Sequence, residues 1–532
     1  MPKFEWALPP APIPKEKIVQ EQEADVIILG AGHAGTCAAR SAAEAGASVI
    51  VVEQQKDVSQ WILGIGEWGY MNSQWQKEQG VPEVDIDTFV KDWQLRTNNR
   101  SNVALVRRYA QHCGSTFDWL IEPLSEAERR SIHPMMTPPS KHMPYVQDHI
   151  HSWTGTPHFS MALMRKVMKE NQQIAKEQGA QFLFETKALQ LEKTNHRVYA
   201  VLCETANHTY IRLKAKKGIL LSAGDYSKNR QMCEDLLTEM ADLVDEGDFC
   251  GHGWNGDGIR MGVWAGGRLE PRSHAGMGGN YSFPGFDTIG STATLRLNTH
   301  GQRYSNEGFG THVLAAIPGA KQPNGLLWSL FDSNILAETT YQAACHASFD
   351  YTDSNRVQDL VDLMGRAQQH KGEKIFHTDV AGDVRPFACA DTIEDLAATI
   401  YPQIEDQQHM IQAVARYDQL CALGKDEDFG KEAFLMHPIQ KPPFYASGQY
   451  KDSHRPFGQS MKLLVTVSGL LTDAYQNVLD ANFEPIPGLY ASGNCCGGRF
   501  GLQYTTSIPG QSISMAQTLG RLAGIDMAKL VI

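Results

Sequence analysis

Glycines near the start of the chain have the types and spacing that could hold a phosphate group. Residues 25–35 read Asp-Val-Ile-Ile-Leu-Gly-Ala-Gly-His-Ala-Gly, an apolar run followed by a glycine-rich turn. Gly30 is expected to make the tight turn, Gly32 to let the backbone approach a pyrophosphate, and Gly35 to let a helix pack on the strand. The N-terminus of that helix would offer unpaired N–H groups and a positive dipole to the phosphates.

A carboxylate after the next strand indicates what the phosphates belong to. Glu53 ends the apolar run Ser48-Val-Ile-Val-Val-Glu, 18 residues after Gly35. A carboxylate in this place suits a ribose 2′-hydroxyl rather than a 2′-phosphate. Strand, helix and acid together predict a bound adenine dinucleotide and disfavour the alternative of a βαβ turn without a ligand. The residues expected to line this part of the site are Gly30, Ala31, Gly32, His33, Ala34, Gly35, Glu53 and Gln54.

Composition and charge limit the class of protein that carries this unit. The 532 residues are 42% hydrophobic and 20% charged, which is typical of a globular protein with a large core and room for two domains. A net charge of −12 argues against a nucleic-acid or anionic-membrane surface. Neither a long apolar run nor a secretory signal is evident, so the sequence predicts a cytoplasmic protein without a membrane span.

Cysteine and histidine spacing does not predict a metal site. The ten cysteines include no C-x-x-C pair, so reduced, buried thiols are expected. Cys495 and Cys496 are adjacent in a glycine-rich segment, where packing is favoured over redox activity. His149, His151 and His158 are spaced too irregularly for a helical metal site, and a loop facing a cofactor or substrate is the preferred interpretation.

Hydrophobic periodicity predicts the larger elements. Trp61, Trp68 and Trp75 recur every seven residues, which suggests core packing, with an apolar wall near a ligand as the alternative. Residues 1–23 contain five prolines and are expected to form a surface tail. The expected helices span about 101–123, 160–179, 355–370, 404–424 and 511–528, and the expected strands lie within 181–214, 218–224 and 293–298.

Segments far apart in the chain resemble the fumarate reductase/succinate dehydrogenase flavoprotein superfamily. They are the glycine-rich turn, Leu221-Ser-Ala-Gly-Asp225, Ile486-Pro-Gly-Leu-Tyr-Ala-Ser-Gly-Asn494, and Pro509-Gly-Gln-Ser-Ile513. The resemblance covers nearly all of the chain after residue 24 and implies non-covalent FAD. It also implies an α/β fold, in which a Rossmann-like (βαβ) FAD-binding domain carries an inserted α+β cap domain. The implied domains are the tail 1–23, the FAD-binding domain 24–272 and 456–532, and the cap 273–455.

The resemblance implies further FAD contacts. Asn494 would face the ribityl chain, and the helix N-terminus after Gly510 would meet the N1/O2 edge of the flavin, where its dipole stabilises the reduced ring. Asn255-Gly-Asp-Gly258 and the segment 298–307 also look like family segments, and the second of these marks the cap. The remaining implied FAD residues are Gly64, Gly66, Ala188, Ala223, Gly224, Asp257, Gly493, Gln511, Ser512 and Ile513.

The family's fumarate site holds two carboxylates with two histidines and two arginines. His274 matches the first histidine and is therefore a candidate catalytic residue. Thr311, Val465 and Tyr504 stand where the resemblance would require the proton-donating arginine, the second histidine and the second arginine. A buried dianion needs paired cations, so turnover of fumarate is not expected.

The segment Gly501-Leu-Gln-Tyr504, followed by Pro509-Gly510, resembles the 3-ketosteroid dehydrogenase branch of the superfamily. In that branch a tyrosine in this place and a nearby glycine N–H bind the substrate carbonyl. Tyr504 and Gly510 would then form an oxyanion hole, worth ~3 kcal/mol per donor. The alternative for Tyr504 is a core residue with a satisfied hydroxyl. The branch has a base tyrosine where this chain has Thr311, which is kept as a candidate catalytic residue. His312 is the candidate acid, with a surface or cap-helix histidine as the alternative, and Tyr145 is a candidate second phenol.

Together these features imply an FAD oxidoreductase that exchanges hydride across a C=C bond conjugated to a carbonyl. The favoured substrate is an apolar, steroid-like enone, and the direction of the reaction stays open. Electrons are expected to pass to another redox protein or a small electron carrier, since neither a second dinucleotide fingerprint nor a covalent-flavin attachment site is evident. Two alternatives remain, namely a reductase of another activated alkene, such as an aryl acrylate, and a flavin-binding sensor or subunit without turnover.

Overall fold

The computed structural model of the chain describes most of its length. The described residues are 4–57, 66–135, 155–244, 254–280, 289, 292–309, 318–319, 321–323, 327–341, 349, 351, 353–378, 384–448, 461–502, 504, 508 and 510–531.

The larger sheet has eight strands, and its centre is parallel. Its main path runs in the order β16-β17-β8-β1-β2-β5, with β7 paired to both β6 and β8. The central runs Val26–Leu29, Val49–Val52 and Gly218–Leu221 are buried, as expected for parallel strands covered on both faces. The strands are β1 (Ile18–Leu29), β2 (Val49–Val52), β5 (Gln181–Leu183), β6 (Thr186–Thr194), β7 (Arg197–Thr205), β8 (Tyr210–Leu221), β16 (Asn477–Leu479) and β17 (Pro485–Ala491).

A second, antiparallel sheet lies between residues 295 and 448. Its order is β10-β11-β14-β13-β12, and its two faces have separate hydrophobic clusters. It falls inside the range expected for the cap, although the predicted boundaries 24–272, 273–455 and 456–532 stay a prediction. The strands are β10 (Leu295–Asn298), β11 (Leu327–Phe331), β12 (Lys374–Thr378), β13 (Val384–Ala390) and β14 (Phe444–Gly448).

Two short ribbons complete the described strands. One pairs β9 (Gly276–Asn280) with β15 (Met461–Thr466) and joins the chain on either side of the second sheet. The other pairs β3 (His133–Met135) with β4 (Thr156–His158). The predicted tail needs one correction, because β1 begins at Ile18 and pairs with β8 before residue 23.

Helix boundaries follow local signals in the sequence. Ser160 and Asn102 each cap a helix through a side-chain oxygen, and Gly424 ends another helix in the left-handed conformation. The helices are α1 (His33–Glu44), α2 (Gln74–Glu78), α3 (Ile86–Arg96), α4 (Val103–Ile121), α5 (Glu126–Ser131), α6 (Met161–Glu177), α7 (Arg230–Leu236), α8 (Glu239–Leu243), α9 (Asp257–Trp264), α10 (Ile335–Thr339), α11 (Ser354–Gln369), α12 (Ile393–Ile400), α13 (Ile404–Leu423) and α14 (Gln511–Lys529).

Close packing of α14 on α1 brings the two ends of the chain together. A Cβ at Gly520 would lie 2.3 Å from the carbonyl oxygen of Ala34, and one at Gly524 would lie 2.3 Å from Ser41 Oγ. These glycines let the helices approach, so the N-terminus of α14 reaches the edge of the parallel sheet. None of the described helices is both long and apolar enough to cross a membrane. The cytoplasmic location stays a prediction.

Candidate cofactor and active site

The expected cofactor residues gather at one edge of the parallel sheet. Gly30 follows β1, Glu53 follows β2, Ala223 and Gly224 follow β8, and Gly493 follows β17. All four strands are mutually parallel, so their carboxyl ends meet at this edge. Ligands of open α/β sheets bind outside the carboxyl ends of the strands.

The glycine-rich turn has the geometry that its spacing predicts. Gly30 has a φ of 102°, and a Cβ there would lie 2.5 Å from the carbonyl oxygen of Ser222. A Cβ at Gly35 would fall 1.8 Å from the oxygen of Gly30, so only glycine lets the helix pack here. A Cβ at Gly32 would meet no described atom within 4 Å. The tight turn and the close packing are confirmed, and the space beside Gly32 suits an approaching pyrophosphate.

Glu53 is tied to the same turn. Its carboxylate accepts hydrogen bonds from the backbone N–H groups of Ala31 and Gln55, both at 2.9 Å. Burial raises the pKa of this carboxyl, and the backbone donors oppose the shift. Its position beside Ala31 and Gln54 is the one expected of a ribose-binding acid.

Ala188 and Asp257 lie further along this side of the sheet. Ala188 is on β6, which begins where the N–H of Thr186 donates to the backbone oxygen of Glu53. Asp257 is the first residue of α9 and lies 3.6 Å from Nζ of Lys187, the neighbour of Ala188. The ion pair places Asp257 beside the strand that carries Ala188.

His33 is held at the start of α1 by a buried network. The hydroxyl of Tyr70 donates to Oε1 of Gln517 at 2.5 Å, which leaves Nε2 of Gln517 to donate to Nδ1 of His33 at 3.1 Å. The imidazole also makes an edge contact with Trp68, with ring centroids 6.0 Å apart. Because Nδ1 accepts, we assign the proton of the neutral ring to Nε2.

The N-terminus of α14 carries the second group of expected cofactor residues. Gly510 precedes the helix with a φ of 71°, and Ser512 and Ile513 lie in the first turn. Gln511 is fully buried, and neither atom of its side-chain amide has a hydrogen-bond partner among the described residues. A buried amide without a partner is costly, so this position suits a ligand that supplies both a donor and an acceptor.

Tyr504 lies beside this helix start. Its side chain is 3% exposed, its hydroxyl donates to Ser512 Oγ at 3.4 Å, and its ring packs on Phe500 with centroids 5.0 Å apart. Burial raises the pKa of the phenol, although Ser512 and Arg499 lower it in part. The hydroxyl therefore keeps its proton near neutral pH and can act as a donor.

Arg499 is a site residue that sequence reasoning missed. Its side chain is fully buried, and Nη2 donates to Val467 O at 3.0 Å and to Asn494 Oδ1 at 2.9 Å. A lone arginine between glycines reads as a surface loop, and no signal in the sequence shows that it is buried. The structure thus places a cation close to Tyr504 and Asn494.

His274 is held on both ring nitrogens by neighbouring groups of the core. Nε2 donates to the backbone oxygen of Glu270 at 3.1 Å, so Nδ1 accepts from the hydroxyl of Tyr226 at 2.9 Å. Burial lowers the pKa of the imidazole. With both ring nitrogens engaged, His274 is a neutral part of the core, and the prediction that it is catalytic is not supported by this geometry.

The expected residues Gly64, Tyr145, Thr311 and His312 lie outside the described part of the chain, as do Trp61, His149 and His151.

Three of the other tryptophans and histidines singled out in the sequence lie in the described part of the chain. Trp68 and Trp75 are buried in the main core, so the core-packing interpretation is confirmed for these two. His158 lies with its ring 4.8 Å from that of His133, and Gly66 is so close that a Cβ would fall 2.5 Å from His158 Nε2. Within the described ranges there is no group of three or more potential metal ligands.

The adjacent cysteines are buried thiols. Cys495 Sγ contacts the backbone oxygen of Gly224 at 3.2 Å, and Cys496 Sγ lies 3.2 Å from Thr472 Oγ1. Burial raises the pKa of Cys495 to about 12 and that of Cys496 to about 11. Thiols with such high pKa values are poor nucleophiles, which agrees with the expected packing role.

A buried ion network holds the segment that leads into the undescribed residues after 309. Arg303 makes two hydrogen bonds to Glu307 and two to Asp426, and Lys431 Nζ lies 3.4 Å from Glu307. Burial opposes ionisation of Glu307, but Lys431 and Arg303 still lower its pKa. Two cations thus balance two carboxylates, a set that the sequence pattern did not reveal.

Buried polar atoms without partners test whether FAD fits the site. Besides the Gln511 amide, they include Ser492 Oγ at the end of β17, Trp68 Nε1 beside His33, and Arg499 Nη1, as judged against the described residues. A buried polar atom without a partner needs an explanation, and for these atoms near the sheet edge a bound polar ligand can supply one. The open glycine turn, the acid and these donors fit FAD, so the fold and site define a flavoprotein.

Comparison with known proteins agrees with the assignment of a flavoprotein. A match to the family described as FAD binding domain spans residues 25–507. The vinyl phenol reductase of Lactiplantibacillus plantarum is 25% identical over 529 residues, covering 95% of this chain and 96% of that protein. The solved 3-ketosteroid-Δ4-(5α)-dehydrogenase of Rhodococcus jostii RHA1 has a TM-score of 0.68 at 19% identity, covering 97% of this chain and 99% of its own. A flavocytochrome c3 fumarate reductase has a TM-score of 0.62 at 19% identity, with coverages of 99% and 82%.

The chain belongs to the FAD binding domain family, among the fumarate reductase-like flavoproteins, and its cofactor is FAD. The predicted family, the α/β fold and the enzyme class of FAD-dependent oxidoreductase are thereby confirmed.

Proposed function

We propose that this protein exchanges hydride across a C=C bond whose conjugated oxygen takes up negative charge during the reaction. The observation that carries the proposal is Tyr504, a buried and protonated phenol directly beside the N-terminus of α14. Bound FAD supplies the hydride donor or acceptor. The residues that would hold it are the glycine-rich turn, Glu53, Asn494 and the first turn of α14.

Tyr504 and Gly510 supply the donors for the substrate oxygen. The hydrogen bond from the Tyr504 hydroxyl to Ser512 is long, at 3.4 Å, and a substrate oxygen can replace it with a shorter one. Gly510 is the residue at the start of α14, and its N–H makes no backbone hydrogen bond to a described residue. A phenol and an N–H group fixed before the reaction stabilise a developing oxyanion without reorganisation.

The donor set favours an uncharged substrate. Thr311, Val465 and Tyr504 stand where the family's fumarate site would need two arginines and a histidine, and His274 is engaged on both nitrogens. A steroid-like enone is our first candidate. A vinyl phenol is the second, since its ring oxygen can carry the same charge and the relative of matching length is named for that substrate.

A panel of alkenes tests this proposal. Protein with bound FAD is reduced by light under anaerobic conditions and mixed with a 3-keto-4-ene steroid, a 3-keto-1-ene steroid, 4-vinylphenol, an aryl acrylate or fumarate. We expect reoxidation by an uncharged alkene at rates above ~1 s⁻¹, as is usual for enzymes, and none by fumarate. Reoxidation by fumarate alone contradicts the proposal, and a lack of response to every alkene favours a sensor or subunit.

Two further expectations concern the cofactor and the electron source. We propose that FAD is held without a covalent bond, and release of a yellow supernatant on acid precipitation is the expected result. Colour retained in the pellet would contradict it. We also propose that electrons are exchanged with a separate redox protein or with a small carrier other than NADH, and rapid direct reduction of the flavin by NADH would contradict that.

A further inference from the structure

Among the residues that the structure describes, the buried cation Arg499 has no ion-pair partner. Its Nε donates to the backbone oxygen of Cys496, and Nη2 is shared between Val467 O and Asn494 Oδ1. Nη1 is buried and has no hydrogen-bond partner in the part of the chain that the structure describes. A buried charge in this state is costly unless a ligand or counter-charge compensates for it.

The groups that act electrostatically on Arg499 supply only part of that compensation. They are Cys496, Glu270, Tyr504 and Cys495. The two thiols and the phenol have raised pKa values and are neutral near pH 7. Glu270 makes no ion pair with Arg499 within 4 Å, and its two oxygens accept the N–H groups of Gly469 and Gly498, both at 2.9 Å.

Arg499 also decides which way Asn494 presents its amide. Because Oδ1 of Asn494 accepts from the guanidinium, the NH2 group of this amide is the end left for another partner. Asn494 follows β17 at the same sheet edge as the glycine-rich turn. Two donors, Nη1 of Arg499 and the NH2 group of Asn494, are thus left without an assigned partner among the described residues near the edge where the cofactor is expected.

We propose that Arg499 is the fixed positive charge that stabilises the reduced, anionic form of bound FAD, and that it orients Asn494 toward the cofactor. The inference rests on the proposed function, since it assumes that Asn494 lines the FAD site. Two-electron reduction of a flavin with uptake of one proton leaves one negative charge on the ring. A buried cation interacts with that charge far more strongly than one in water.

The reduction potential of bound FAD tests the charge. Arg499→Gln removes the charge and keeps hydrogen-bonding ability. Arg499→Lys keeps the charge but loses the planar guanidinium group with its several N–H donors. We expect Arg499→Gln to weaken binding of reduced relative to oxidised FAD at least tenfold, which for two electrons is about 30 mV. Arg499→Lys should stay within that margin of the wild type while binding FAD less tightly, because Lys cannot hold Asn494 in the same way.

Arg521 supplies the matched control. It lies on α14, stacks on Trp119 at 4.6 Å, and donates to the backbone oxygen of Ser115. Its Nε is also buried without a partner among the described residues. Arg521→Gln should leave the potential unchanged. A purely structural role for Arg499 would lower stability and FAD content without shifting the potential of the FAD that remains, and that result overturns the inference.

Two measurements on the wild type keep the test decisive. If Arg499→Gln does not retain FAD, the spectrum of the reduced wild-type protein decides, since it should be that of anionic reduced flavin down to pH 5.5. A neutral reduced spectrum there overturns the inference. Absence of FAD from the wild type would refute the proposed function as well, whereas alkene turnover with an unchanged potential in Arg499→Gln refutes only the role of Arg499.

Discussion

Gly510 lies against the backbone of Glu67, so that a Cβ at Gly510 would fall 2.3 Å from the Glu67 carbonyl oxygen. The contact joins the start of α14 to the segment that precedes α2, and both flank Tyr504 and the buried amide of Gln511. Gly510 also has a positive φ of 71°, which L side chains rarely adopt. The position of the helix N-terminus therefore depends on the absence of a side chain here.

Replacing Gly510 with alanine should displace the start of α14. We expect Gly510→Ala to lower the free energy of unfolding by ~1–3 kcal/mol through overpacking, and to reduce the FAD content. Urea unfolding and the flavin-to-protein absorbance ratio measure the two effects. Gly365→Ala is the control, since Gly365 lies inside α11 with no described atom near its Cβ position and should gain stability by ~0.5–1 kcal/mol. Equal stability of Gly510→Ala and wild type would contradict the prediction.

Removing the Tyr504 hydroxyl should slow the chemical step. Tyr504→Phe keeps the ring on Phe500 and removes one donor, so hydride transfer should slow about 10²-fold while substrate affinity falls much less. Stopped-flow reoxidation of the photoreduced protein by the active alkene measures the rate. Tyr475→Phe, at a residue 59% exposed, should have no effect. An unaltered rate in Tyr504→Phe would show that Tyr504 is only a packing residue.

Neutralising Glu53 should weaken binding of FAD without unfolding the sheet. Glu53→Gln keeps the shape but loses a charged hydrogen-bond acceptor, an interaction worth ~1.5–3 kcal/mol, so the Kd for FAD should rise about 10- to 100-fold. Reconstitution of the apoprotein, followed by flavin fluorescence, measures the Kd. Glu23→Gln is the control, since Glu23 pairs with Lys216 on the exposed part of β1. An unchanged Kd would argue that Glu53 does not contact the ribose.

The ion network of the second sheet should make stability depend on acid pH. Arg303 donates to Asp426 and, although burial opposes it, lowers the pKa of that carboxyl to about 2. A carboxyl with a depressed pKa stabilises the fold above its unfolded pKa, near 3.9, and loses that contribution as pH falls toward 2. Stability should therefore decline between pH 4 and pH 2.

Asp426→Asn tests the same network at neutral pH. Removing one partner from a buried pair should cost ~3–5 kcal/mol at pH 7, and the variant should then show a smaller further loss in acid than the wild type. Urea unfolding at pH 7, 4 and 3, followed by tryptophan fluorescence, gives the comparison. Asp391→Asn is the control, because the carboxylate of Asp391 pairs with Lys371 at the surface. Equal pH dependence of Asp426→Asn and wild type would rule out the assigned role of Asp426.

Elements with strong local signals were predictable. The expected helices 160–179 and 404–424 correspond to α6 (Met161–Glu177) and α13 (Ile404–Leu423), because apolar periodicity and caps act within a few residues. The start of β1 was not predictable in the same way. Residues 18–23 are polar and alternate weakly, and their pairing with β8 is a long-range contact.

The same distinction between local and long-range interactions applies to the candidate site. The sequence by itself determined the FAD turn, because the backbone conformation of Gly30, the packing of Gly35 and the placement of Glu53 follow from a local βαβ unit. Only the tertiary structure decided that His274 is satisfied by Tyr226 and Glu270, and that Arg499 is buried with no partner for Nη1 in the described part of the chain. Burial and hydrogen-bond satisfaction depend on groups far apart in the chain, and these set the charge and donor capacity of a side chain.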